Sequence, residues 1–185
     1  PFSVVERIVV TSCADSLAHD TKRAIDEYTK CADIDPDFFQ AFVNAGVLHE
    51  EMGDSDLAEK SYMRALEISP DNGMVLNNLA VVVLKRGALQ EALDLAERAY
   101  ALIGEHGSVI LTYQRALEAV AKWLYETGKQ DGESGERTKK PLEALNLYFK
   151  VRLILKGRKD AMPSVRTAFR DWLYMFSLTF LHHTH

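Results

Sequence analysis

Few residues in this chain have the type and spacing to do chemistry. Asp33, Asp35 and Asp37 alternate as in a calcium loop, but Phe38 stands where that loop needs glycine and Asn44 where it needs a bidentate glutamate. Cys13 and Cys31 have no acid–base partner at a recognisable spacing, so neither reads as a nucleophile. They read as small, reduced core residues, which agrees with a cytoplasmic setting. His19 and His106 fall at turns, and His182, His183 and His185 lie at a terminus. Gly132-Glu133-Ser134-Gly135 lacks the spacing of a nucleophile elbow, and no HExxH, phosphate-cradling glycine-lysine loop or GxGxxG occurs. The expectation is no catalysis, no cofactor and no metal. Two side chains suit recognition instead: the amides of Asn44 and Asn78 each offer a donor and an acceptor, and can pair with a peptide unit whatever its sequence.

The elements that would position those amides are written in a period. Pro36 and Pro70 stand 34 residues apart, and Gly104 follows at the same step. So do Ala24, Ala58 and Ala92; Tyr28, Tyr62 and Ala96; Cys31, Ala65 and Ala99; Lys30, Arg64 and Arg98; and Ile34, Ile68 and Leu102. Gly53 pairs with Gly87, and Asn44 with Asn78. Each unit predicts two helices. The first runs from about Phe39 to Met52 and stops at Gly53, and the second is capped by Ser55 or Asp56 and runs to Ile68 before Pro70. Small residues at Gly46, Ala58, Ala80 and Ala92 let neighbouring helices approach, with Phe42, Tyr62, Leu76 and Leu79 as the bulk between them.

Phe42, Ala45, Gly46 and His49, then Ala58, Tyr62, Ala65 and Pro70, resemble the signature of the tetratricopeptide repeat family. Leu76, Leu79, Ala80 and Val83, then Ala92, Ala96 and Ala99, resemble it again. The resemblance implies an all-α, right-handed solenoid of helix pairs, as one domain over 1–185. Its repeats would span about 5–38, 39–72, 73–106 and 114–157, with an insertion at 129–140. In the fourth unit Leu117, Val120, Ala121, Leu124 and Gly128 copy the first helix, which is lengthened towards Ser108. Ala144, Tyr148 and Val151 copy the second. His49 takes a slot that the family fills with a large aromatic, which implies packing in the core. A closing helix is expected over 164–182, where Val165, Phe169, Trp172, Phe176 and Phe180 form one apolar stripe. Tyr174, Leu178 and Leu181 make its other side apolar too, so it is either wedged into the array or covered by another chain. In the second case Trp172, Phe176 and Phe180 are the oligomer interface.

In this family the first helix of each pair lines a concave face that binds extended or helical peptides. The resemblance places Gln40, Val43, Asn44 and Val47 on that face, then Met74, Asn77, Asn78, Val81 and Lys85, then Arg115, Lys122 and Tyr125. Some members clamp a terminal carboxylate with Lys and Asn, then Asn, then Lys and Arg. Here Asn44, Asn78 and Arg115 match, while Gln40 and Ala119 stand where two of the cations belong. With the face between the asparagines apolar, the implied ligand is a peptide or helix with apolar anchors.

Composition agrees. Hydrophobic residues make up 47% and charged residues 26%, ordinary for a packed domain. The net charge of −5 argues against nucleic acid, and no apolar run is long enough to insert in a membrane. Residues 1–112 carry 9 Lys/Arg against 19 Asp/Glu, a net of −10. The chain begins at Pro1, which reads as a processed product or a fragment. The expectation is a non-catalytic interaction scaffold. The alternatives are a module that assembles through its last helix, or the substrate-recruiting repeats of a larger enzyme.

Overall fold

The computed structural model describes residues 20–130 and Asn146, and these residues are helical, with no strand among them. Six helices follow one another: α1 Thr21–Ile34, α2 Phe39–Met52, α3 Ser55–Ile68, α4 Gly73–Arg86, α5 Leu89–Ile103 and α6 Gly107–Gln130. The expected helix over Phe39–Met52 is formed, and it ends where glycine permits. Gly53 adopts φ 84°, the Gly53 N–H donates to the Glu50 carbonyl, and the Asp54 N–H reaches back to that of His49 at 2.9 Å. One unit later Gly87, at φ 88°, repeats the closure, with the Ala88 N–H on Val83 O at 3.3 Å.

The starts of the helices differ from expectation. Neither Ser55 nor Asp56 caps α3. Asp54 holds the cap position and makes no side-chain bond, because the tight closure of α2 leaves one residue, Asp54, between Gly53 and α3. Caps form instead at Asp20, which accepts from the Arg23 N–H at 3.3 Å, and at Asn72, which accepts from the Val75 N–H at 3.1 Å. Helix α6 begins at Gly107, as the stretched fourth unit implies, but it continues through Gly128 to Gln130. Gly128 is therefore not a helix end, and the insertion expected from 129 starts later, since its first two residues are helical. The insertion beyond 130, the second helix of the fourth unit, the first helix of the first unit and the closing helix lie outside the described residues.

The chain divides into two units, Pro1–Ala116 and Leu117–His185. In the first, Ala58, Tyr62, Ala65, Val75, Leu79, Val82, Val83 and Ala92 form one buried cluster. Ala24, Tyr28, Cys31, Ala41 and Leu48 form a second, and Leu76, Ala99 and Val109 a third. The periodic alanines are wholly buried because they sit where helices touch. Gly46 shows how close that touch is: a Cβ there would stand 2.5 Å from Tyr62 Cε1. In the second unit Leu117, Val120 and Ala121 are buried. Among the described residues no helix is long and apolar enough to cross a membrane.

Candidate functional site

The groove residues expected from spacing sit on α2 and α4, and side chains join the two helices directly. Lys85 Nζ meets Glu50 Oε1 at 2.7 Å, and the other oxygen of Glu50 accepts from the Tyr62 hydroxyl at 3.5 Å. Tyr62 also accepts a hydrogen bond from the Asn78 amide, so α2, α3 and α4 share one polar network over the apolar core. Glu50 is the residue that sequence reasoning missed. Its partners lie 12 and 35 residues away, beyond any local pattern.

Asn44 accepts from Gln40 Nε2 at 2.9 Å, one helical turn apart. Its amide nitrogen is left as a donor on the same face. Val43, Val47 and Val81 are half-buried and Met74 is 42% exposed, so the stripes that carry the amides are apolar and partly open. Asn77 differs from the lining expected of it, being only 4% exposed. It lies on the buried stripe of Gly73 and Ala80, because residues three and four apart share a helix face. Its Oδ1 has no hydrogen-bond partner among the described residues, nor has Nδ1 of His49, which is half-buried in the slot expected to pack.

Arg115 is exposed. Lys122 belongs to the second unit, where it faces Glu126 at 3.9 Å with most of its side chain in solvent. The side chain of Tyr125 lies outside the described residues, as do Cys13, His19, Trp172, Phe176 and Phe180. Burial raises the pKa of the free Cys31 thiol, which therefore stays protonated and unreactive near neutrality. Burial likewise raises Tyr62, reinforced by Glu50, and pushes Tyr113 up to about 12, where the charge of Glu97 and a 3.1 Å bond to it add to the effect.

Comparison with known proteins bears on the repeat. No curated protein sequence matches the chain. Among solved structures, the first such repeat domain of Spaghetti (RPAP3), bound to the HSP90 peptide SRMEEVD, superposes with a TM-score of 0.61. It is 18% identical, over 63% of this chain and 93% of that one. The Yersinia enterocolitica type III secretion chaperone SycD, in complex with a peptide of the translocator YopD, gives 0.57 at 17% identity, over 69% and 97%. Pseudomonas aeruginosa PilF gives 0.56 at 20% identity, over 94% and 69%. At these identities the likeness is one of fold. The sequence model of the tetratricopeptide repeat matches residues 37–105, the span of the helix pairs α2–α3 and α4–α5. Over those residues the chain is similar to the tetratricopeptide repeat family.

Proposed function

We propose that this chain is a non-catalytic interaction scaffold, and that the face formed by α2 and α4 takes a peptide or helical segment with apolar anchors. The observation that carries the reading is the composition of that face. Val43, Val47, Val81 and Met74 are partly open to solvent, and the amides of Asn44 and Asn78 lie among them. Burying such side chains contributes roughly 25 cal/mol per Å² before ordering costs, and the amides set the register of the bound backbone. Structural neighbours that hold a peptide, Spaghetti with its HSP90 peptide and SycD with its YopD peptide, support the same use of the fold. A terminal dicarboxylate suits this face less well, because Gln40 is neutral and its amide is spent on Asn44.

A displayed random-peptide library, selected against the folded chain, tests this. The selected peptides should carry aliphatic or aromatic residues at regular spacing. Each should lose about tenfold or more in affinity against Val47→Asp or Val81→Asp, with helicity unchanged by circular dichroism. Purely polar peptides, or binding indifferent to both substitutions, would sink the proposal.

A further inference from the structure

A second surface of the first unit is formed at the turns where one repeat passes to the next. The last turns of α1, α3 and α5 place Ile34, Ile68 and Leu102 at equivalent positions, and Ile34 is 54% and Leu102 49% exposed. Two stitches hold successive turns together: Arg64 Nη2 donates to the Pro36 carbonyl at 3.3 Å, and Arg98 Nη2 to that of Pro70 at 3.5 Å. The aliphatic side chains therefore repeat along one edge, turn upon turn.

That edge is acidic, and helix electrostatics account for only part of it. Asp37, Asp71 and Glu105 are exposed and sit two residues before α2, α4 and α6, where the positive helix end favours them. Asp33 and Glu67 occupy the last turns of α1 and α3, where the helix end is negative and cations are preferred. None of α1, α3 and α5 has a basic residue in its last turn. Arg64, a turn earlier, compensates Glu67 at 2.7 Å, whereas Asp33 has no ion-pair partner among the described residues. Exposed aliphatics and acids set against the helix dipole break two local rules at one place, which is where function is to be sought.

We propose that this edge of the inter-repeat turns is a docking surface for a basic, aliphatic segment of a partner protein. Its Lys or Arg side chains would face the acidic turns, and its apolar side chains would cover Ile34 and Leu102. The sign of the charge commits the partner to cations, and the exposed aliphatics exclude a purely polar basic tail. The edge is built from other residues than the α2–α4 face, and its proposal does not rest on that face binding a peptide.

The probe is a fluorescein-labelled amphipathic peptide of Leu and Lys, with its Leu/Glu counterpart as control, read by anisotropy on the full chain carrying Val47→Asp and Val81→Asp, which bar an apolar segment from the α2–α4 face. The Leu/Lys peptide should bind and the Leu/Glu peptide should not. Asp37→Lys/Asp71→Lys and Ile34→Ser/Leu102→Ser should each weaken binding by about tenfold, while Asn44→Ala/Asn78→Ala leaves it within about twofold. Asp54→Lys/Asp56→Lys makes the same change of net charge at the α2–α3 turn and should also have little effect. An equal loss in that variant would show attraction to net charge alone. A loss confined to the asparagine variant would place the peptide on the other face. Either result, or no change in the edge variants, overturns the proposal.

Discussion

Tyr113 and Tyr62 each bury a phenol beside a carboxylate, and ionising either would place two negative charges together in a poorly solvated site. Both therefore hold their protons above the ordinary tyrosine range, Tyr113 up to about 12. Between the unfolded value near 10 and these folded values, the folded chain binds more protons than the unfolded one. Stability contributed by the neutral phenols is thus complete below about pH 10 and falls as the pH rises through the folded values. Absorbance titration at 295 nm should show tyrosines that ionise only as the chain unfolds, and Tyr113→Phe should remove one of them. If all tyrosines titrate normally in the folded chain, the burial described for these two is wrong.

Helices α2 and α3 pack as tightly as they do because position 46 has no side chain. The ring of Tyr62 fills that space, so Gly46→Ala drives a methyl into the ring, 2.5 Å from Cε1 and 2.7 Å from Cδ1. The helical preference of alanine over glycine, up to about 1 kcal/mol, works the other way. Overpacking costs about 1–3 kcal/mol, and the ring is pinned by Glu50 and Asn78, so the clash wins. Urea denaturation should show Gly46→Ala destabilised by about 1–2 kcal/mol. A stabilised variant would mean that the Tyr62 ring yields freely.

Across the first unit, stability is a sum over repeats and the interfaces between them. The arginines at 64 and 98 act at those interfaces, each donating to the proline carbonyl of the preceding turn, and Arg64 also lies over the Phe42 ring at 5.7 Å. Arg64→Ala and Arg98→Ala should each cost about 1 kcal/mol, and because they act at different interfaces the double variant should cost roughly the sum. Denaturant titration of the three variants checks this. A double variant no weaker than either single one would show that the bonds do not couple the repeats.

What the amino-acid sequence determined by itself is the repeat: its period, the helix over Phe39–Met52, the end of the next helix at Ile68, the breaks at Gly53 and Gly87, and the alanines wholly buried between helices. These follow from backbone sterics and from which side chains fit between close helices, and both act within one period. The 34-residue spacing of Lys30, Arg64 and Arg98 was equally visible, but not its purpose, because the carbonyls that Arg64 and Arg98 meet belong to the preceding repeat. The caps at Asp20 and Asn72, the continuation of α6 through Gly128 and the burial of Asn77 depended on how each turn closes and which face turns inward. Only the tertiary structure decided that Glu50 links Tyr62 to Lys85, and that Ile34 and Leu102 stand open along an acidic edge. Glu50 and Lys85 belong to different repeats, as do Ile34 and Leu102, and the stacking that brings them together is not written in any one of them.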